Sequence, residues 1–289
     1  MRSKPPSPTR KITMPRPARD VGASPFIKWV GGKRSLLEQL RPHLPPTYGR
    51  LFEPFVGGGA LFFDQRPKRA TLGDNNARLI ATYRGLRDAT DEVIRLLKSY
   101  RYDRDDFLAM RARAIDAESD PAIAAWFIYL NKTGYNGLYR VNSRNGFNVP
   151  FGSYKNPAIC DEPTLRACAA ALRRTDLVAG DFELVTRKAR KGDLVYFDPP
   201  YVPLSATSSF TGYTADGFDS HDQLRLRDAA RALAARGVHV LLSNSSAPAV
   251  VNLYREEFDI VQLRARRSIN SNIEGRSAIV ELLMKSRTF

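Results

Sequence analysis

The sequence is poor in the residues that staple or metallate a fold. Its 289 residues hold two cysteines, Cys160 and Cys168, and three histidines, His43, His221 and His239. Neither cysteine has a second cysteine or a histidine at zinc-ligand spacing, so both read as unpaired thiols of a reducing compartment. The histidines lie far apart and read as surface or packing residues, and no metal is expected. No apolar run approaches the ~20 residues of a membrane-spanning helix, and the basic N-terminus lacks the apolar stretch of a secretory signal. Acidic residues are also short: 30 Asp and Glu against 45 Lys and Arg leave a formal net charge of +15. Such an excess points to a polyanionic partner, because each cation that neutralises a phosphate releases condensed counterions. Nucleic acid comes first, ahead of a ribosomal site, a membrane surface or a merely soluble basic protein.

What is present is a globular pattern, with 43% hydrophobic residues. Residues 1–23 mix Pro5, Pro6, Pro8, Pro15 and Pro17 with six basic residues, which predicts a disordered basic tail. That tail either adds non-specific polyanion affinity or has no role. From Pro25 on, short apolar strands alternate with amphipathic helices. Strands are predicted at Leu51–Phe55, Ala70–Leu72, Leu177–Ala179, Leu194–Phe197 and Val238–Leu242. Phe258–Leu263 and Ala278–Met284, around a polar turn at Asn270–Gly275, read as a closing hairpin. The alternation predicts an α/β domain with a mostly parallel sheet. A long interruption falls between the second and third strands. Residues 91–130 are helical by pattern, and residues 131–158 are rich in Asn, Gly, Tyr and Arg and read as a β-hairpin or extended loop. The predicted organisation is therefore a domain made of residues 24–90 and 159–289, with residues 91–158 inserted as a second.

In an open α/β sheet, ligands bind at the carboxyl ends of the strands. Several polar runs fall there. Phe55-Val56-Gly57-Gly58-Gly59 follows the first strand; its glycines permit close backbone approach and positive φ. The run departs from Gly-x-Gly-x-x-Gly, which favours an adenosyl cofactor over a dinucleotide, with an empty tight turn as the alternative. Asp74 follows the second strand, where an acid holds ribose hydroxyls or caps a helix. The most specific run is Asp198-Pro199-Pro200-Tyr201 after Leu194-Val195-Tyr196-Phe197. Two prolines cannot continue a ladder, so they fix a turn that presents Asp198 and Tyr201 at the sheet edge. An exocyclic base amine is a poor nucleophile because its lone pair is delocalised. A carboxylate and a backbone carbonyl that accept its two N–H bonds favour a more tetrahedral nitrogen, and Tyr201 offers a flat face to an extruded base.

These runs, in this order, resemble the Dam-type (D12 class, α-group) DNA adenine-N6 methyltransferases. The resemblance covers nearly everything from Pro25 to the closing hairpin. It is carried by Pro25-Phe26-Ile27-Lys28-Trp29-Val30-Gly31-Gly32-Lys33, Phe52-Glu53-Pro54-Phe55-Val56-Gly57-Gly58-Gly59 and Gly73-Asp74-Asn75-Asn76. It continues through Asn131-Lys132-Thr133-Gly134-Tyr135-Asn136-Gly137-Leu138, Phe147-Asn148-Val149-Pro150-Phe151-Gly152 and Val195-Tyr196-Phe197-Asp198-Pro199-Pro200-Tyr201. The resemblance implies a Rossmann-like S-adenosylmethionine-dependent methyltransferase sheet with a closing β-hairpin and an inserted helical and hairpin DNA-recognition domain. It implies S-adenosyl-L-methionine as methyl donor, S-adenosyl-L-homocysteine as product, and Asp198, Pro199, Pro200 and Tyr201 as the catalytic run. Trp29, Lys33, Asp74 and Asp198 are then the positions that contact the cofactor, with Phe55, Gly57 and Gly59 of the glycine run. Asp181, followed by Phe182, sits at the adenine-binding place, where a loop acid is also a common helix cap. Lys33 is expected at the methionine carboxylate; on the residues alone it reads as a solvated lysine beside a glycine turn.

The same resemblance implies that the insertion reads duplex DNA. Tyr135 would intercalate near the target with Asn136 beside it, and Arg140 would read a guanine. Leu138, Pro150, Tyr154 and Lys155 complete the expected DNA set, and GATC is the implied target. A solvated polar loop is the alternative for this stretch. Lys132-Thr133 and Ser143-Arg144-Asn145 depart from the family's pattern. The expected protein is a cytoplasmic, nucleoid-associated monomer with double-stranded DNA as partner, no membrane, and a possible cognate restriction endonuclease. Two rivals stand beside this reading: methylation of another amine (cytosine N4, RNA adenine or a protein glutamine) and a catalytically dead DNA-binding regulator. Asp198 argues against the cytosine enzymes, which more often carry Ser there, and the intact Asp198, Tyr201 and glycine run argue against the regulator.

Overall fold

The computed structural model describes residues 22–204, 218–265 and 279–287. The expected tail lies outside them apart from Gly22 and Ala23, as does the expected turn at Asn270–Gly275. Among the described residues seven strands form one sheet in the order β3-β2-β1-β4-β5-β7-β6. They are β1 (Leu51–Glu53), β2 (Ala70–Asp74), β3 (Thr175–Ala179), β4 (Leu194–Phe197), β5 (His239–Ser245), β6 (Phe258–Ala265) and β7 (Ile279–Ser286). The first five run parallel, and β7 inserts antiparallel between β5 and β6. The α/β class and the antiparallel closing pair therefore match the sequence reading. β1 stops at Glu53, two residues short of the predicted end, because Pro54 has no N–H to continue the ladder. β3, β5, β6 and β7 each run longer than predicted, since polar residues at their ends still pair.

The central strands read as unbroken apolar runs because both faces are covered. Leu51, Leu72, Leu194, Tyr196 and Leu283 face one core; Phe52, Val195, Phe197, Leu282 and Met284 face the other. The first core is filled by α1 (Leu37–Leu40), α2 (Ala60–Gln65), α3 (Ala77–Asp88), α4 (Thr90–Ser99), α5 (Arg104–Arg111), α6 (Asp120–Thr133) and α7 (Glu162–Leu172). The second takes α8 (Phe182–Thr186), α9 (Ser220–Ala235) and α10 (Pro248–Tyr254). α6 is buried almost all round, from Ile123 to Leu130. This helix of the 91–158 segment thus shares one continuous core with the sheet. Beyond it the chain forms a hairpin-like loop, with antiparallel bridges Gly134 to Phe151 and Val141 to Phe147.

Strand order reverses between β1 and β4: β1 leads outward to β2 on one side, and the chain returns to β4 on the other. The crevice outside their carboxyl ends is where such sheets take ligands. One close approach on that flank is set by Gly73, where a Cβ would collide with both methyls of Val185 on α8. Gly73→Ala is expected to destabilise the fold by about 1–3 kcal/mol through overpacking, and adding Val185→Ala should recover part of that. Urea unfolding checks this; a Gly73→Ala chain as stable as the parent would contradict the close packing.

Candidate active site

The segment before the first strand crosses the carboxyl ends of β1 and β4 and delivers Lys33. Phe26 anchors it, edge-on to Phe63 and Tyr83. The Asn131 side chain, 2% exposed, accepts from Lys28 N at 2.8 Å and donates to Lys28 O and Gly137 O at 2.8 Å each. A side-chain amide thus pairs with the segment as a strand would. Trp29 stacks on Phe127 and Tyr139. Its indole also lies against the glycine run: a Cβ at Gly57, where φ is +46°, would come within 2.5 Å of Trp29 Cδ1. Gly57 and Gly59 both have positive φ, which favours glycine on both counts.

Lys33 is the buried cation of the site, 4% exposed. Its Nζ donates to Gly31 O at 2.7 Å, lies 2.7 Å from Asp198 Oδ1 and 4.0 Å from Glu281 Oε2, and stands 4.7 Å from the Tyr201 ring centroid. A buried ion pair is tolerated when its remaining donors are satisfied, and here a carbonyl, two carboxylates and a π-face share one ammonium. Within the protein its charged partners are Asp198 and Glu281. The Tyr201 hydroxyl donates to Glu281 Oε2 at 2.7 Å.

The turn is clamped from its other side. Gln223 Nε2 donates to Pro200 O at 3.1 Å, and Asn244 Nδ2 donates to Gln223 Oε1 at 3.1 Å. Asn244 Oδ1 accepts from Val202 N and Ser245 N. Among the described residues no hydrogen bond is made to the carbonyl of Pro199, whereas that of Pro200 is taken by Gln223.

Three further carboxyls frame the crevice. Asp74 accepts from Gly57 N at 3.2 Å and Asn76 N at 3.0 Å. The cap of α3 is Asn76, not Asp74. Burial pushes the Asp74 carboxyl up to about 6 against the pull of those two N–H groups. Glu53, at the end of β1, is 3% exposed. Burial, and then repulsion from Asp198, push its carboxyl up to about 8, against one N–H from Phe62. Its Oε1 is buried without a hydrogen-bond partner. Asp181 caps α8, accepting from Glu183 N, and its Oδ1 lies 3.2 Å from Arg225. Phe55 and Phe182 stack at 5.7 Å, with Phe218 edge-on to Phe55. Asp198 itself is raised by burial, held back by the Lys33 ammonium, and pushed up again by Glu281.

The loop residues expected at DNA lie on one connected turn. Tyr135 is half exposed, Asn136 next to it is left-handed with φ of +54°, and Tyr135 N donates to Pro150 O. Leu138 is half-buried against the core. Tyr154 donates to Gly134 O at 3.0 Å and carries Lys28 over its ring at 4.9 Å. Arg140 and Lys155 are exposed, but the Arg140 guanidinium is folded back on Asn148 O at 2.7 and 3.1 Å. Elsewhere, burial pushes the Cys168 thiol up to about 12, and both cysteines are free. Asp219, His221 and Asp222 gather at the start of α9, where Asp219 and Asp222 form its capping box.

Glu53, Glu281, Gln223, Asn244 and Arg225 carry this geometry without having been singled out in the sequence. The available signal was an acid inside an otherwise apolar strand, as in Leu51-Phe52-Glu53 and Ile279-Val280-Glu281-Leu282.

A family model described as D12 class N6 adenine-specific DNA methyltransferase matches residues 29–269. "Type II methyltransferase M1.LlaDCHI" of Lactococcus lactis subsp. cremoris is 42% identical over 272 residues, covering 91% of this chain and 95% of the relative. "Type II methyltransferase M.MjaIII" of Methanocaldococcus jannaschii is 38% identical over 286 residues, covering 90% and 98%. A "DNA adenine methylase" of Vibrio cholerae serotype O1 is 36% identical over 264 residues, covering 89% and 94%.

The state of Glu53 can be read from stability. With its folded pKa of about 8 above an unfolded value of about 4.3, the folded chain binds the extra proton, so stability falls as pH rises between those values. Glu53→Gln removes that dependence. Its unfolding temperature relative to the parent should therefore rise from pH 5 to pH 8; a difference that stays flat would contradict a buried, proton-holding carboxyl.

Proposed function

The chain belongs to the D12 class of N6 adenine-specific DNA methyltransferases, and from that membership we propose that it methylates adenine N6 within GATC in duplex DNA, acting on a base flipped from the helix. The observation that carries the reading is the Lys33, Asp198 and Tyr201 cluster at the sheet's switch point, beside a basic loop tied to the same segment by Asn131.

The residues fit S-adenosylmethionine, the donor this family's reaction uses. The crevice is lined by acceptors: Asp74, suited to ribose hydroxyls, and Glu53, whose orphaned oxygen calls for a donor such as the methionine ammonium. Trp29 against Gly57 and Gly58 gives an apolar wall beside the glycine run. Phe55, Phe182 and Asp181 form an aromatic wall with an acidic rim suited to an adenine ring and its amine. When bound, the cofactor supplies an electrophilic methyl group on a cationic sulfonium and leaves as S-adenosylhomocysteine.

Asp198 and the Pro199 carbonyl accept the two N–H bonds of the target amine, which draws its lone pair out of the ring. Pro200 cannot serve, since Gln223 holds its carbonyl. The Lys33 ammonium favours the ionised form of Asp198 against the pull of burial. Tyr201 stacks one ring face on the base, because Lys33 covers the other. Positioning and exclusion of water supply much of the rate, and transfer is direct, with no covalent enzyme intermediate. On the duplex, Tyr135 and Asn136 enter beside the target, with Leu138, Pro150 and Tyr154 shaping the turn. Arg140 leaves Asn148 O to make a bidentate contact with guanine, and Lys155 holds phosphate. Residues 91–158 act as the recognition part, and the chain works as a monomer in the cytoplasm, with or without a companion endonuclease.

Purified protein with methyl-labelled cofactor is expected to label a GATC duplex and leave a duplex with the site scrambled unlabelled. Asp198→Ala should lower transfer by on the order of a hundredfold or more in a chain that remains folded by circular dichroism. Equal labelling of both duplexes would refute the target, and undiminished transfer by the Ala variant would refute the role of Asp198.

A further inference from the structure

Glu281 lies on β7, the antiparallel strand that enters the sheet last, far in sequence from the runs discussed above. Two of its relations are unusual for a strand residue. It accepts the Tyr201 hydroxyl at 2.7 Å, and it stands 4.0 Å from the Lys33 ammonium, with its side chain 18% exposed. Lys33 therefore bridges two carboxylates, Asp198 and Glu281, and the three charges sum to one negative. Tyr201, held by Glu281 at its hydroxyl and by Lys33 at one face, has its ring tilt fixed from two sides.

We infer that Glu281 is a positioning residue for methyl transfer: it orients Tyr201 against the base and, by sharing Lys33, keeps that ammonium from binding Asp198 alone. The inference rests on the reading of Asp198 and Tyr201 given under Proposed function. A carboxylate fully neutralised by one lysine is a weaker acceptor for the target amine than one that competes for it. A second carboxylate beside the lysine restores that competition. It also gives the cluster a net negative charge, which suits a reaction whose positive charge travels from the sulfonium toward the amine.

Among the described residues, the charged or titratable groups facing Asp198 are Lys33 from the N-terminal segment, Glu281 from β7, Tyr201 from its own turn, Tyr196 from β4 and Glu53 from β1. Of these, Lys33 and the Tyr201 hydroxyl favour the ionised carboxylate, and Glu281 disfavours it. Removing Glu281's charge therefore makes Asp198 easier to ionise.

Single-turnover transfer to a GATC duplex, measured against pH for the parent, Glu281→Gln, Glu281→Leu and Tyr201→Phe, decides the matter. Glu281→Gln, which keeps an acceptor for the Tyr201 hydroxyl, should move the acid limb of the profile to lower pH by roughly half a unit or more. Tyr201→Phe keeps the Glu281 charge and should not move the limb downward. Glu281→Leu should lose the orienting bond as well, lowering the plateau rate about tenfold, with the cofactor Kd unchanged within about threefold. An acid limb that stays where it is in Glu281→Gln overturns the inference, as does a parental plateau rate in Glu281→Leu. A variant that merely unfolds locally loses cofactor affinity and rate together without moving the limb. A parent chain inactive on every adenine duplex would instead overturn the proposed function.

Discussion

A lysine ammonium and an aspartate carboxylate lie 2.7 Å apart beneath the surface, the lysine 4% exposed. Taking such charges out of water is costly, and the cost is offset only when each finds further partners. The surrounding architecture supplies them. Gly31 offers its carbonyl, Tyr201 its ring and Glu281 a second carboxylate. These groups come from the N-terminal segment, the turn after β4 and the last strand, so the pair draws together parts of the chain about 250 residues apart. Removing the lysine would leave two carboxylates facing each other with Glu53 close behind. The reversed strand β7 is what brings Glu281 into this group, which gives the antiparallel closure a chemical as well as a structural role.

The second constraint is Asn131. One buried amide satisfies both backbone groups of Lys28 and the carbonyl of Gly137. It locks the segment that carries Trp29 and Lys33 to the turn that carries Tyr135, Asn136 and Leu138. The stack of Trp29, Tyr139 and Phe127 runs alongside. The crevice and the exposed loop are thus braced by one network, and the helix bearing Asn131 is part of the main core.

Much of this was legible in the sequence wherever backbone chemistry announces itself. The paired prolines after Phe197 end a strand, the glycine run needs positive φ, and the alternation of strands with helices gives the α/β class. Strand ends were less legible, because pairing at β3, β5, β6 and β7 extends over polar residues that carry no apolar signal. Asp74 could be read as ligand or helix cap; the structure gives the cap to Asn76 and leaves Asp74 bonded to the glycine loop. Asp181 had the same two readings, and there the capping bond is present. Lys33 was legible as a site residue but not as the partner of Asp198, since that pairing depends on how two distant segments meet. Glu281 and Glu53 were hidden for the same reason. So were Gln223 and Asn244, which act only through contacts made once the sheet has assembled.

The central claim is that this buried pair is where a methyl group passes to adenine N6. Nucleoside mass analysis of a duplex after incubation with S-adenosylmethionine tests it most directly, comparing the parent with Lys33→Met. The account predicts N6-methyl-2′-deoxyadenosine as the sole methylated nucleoside from the parent, and its loss in a Lys33→Met chain that remains folded. Methylated cytosine from the parent, or undiminished N6-methyl-2′-deoxyadenosine without the lysine, would contradict it.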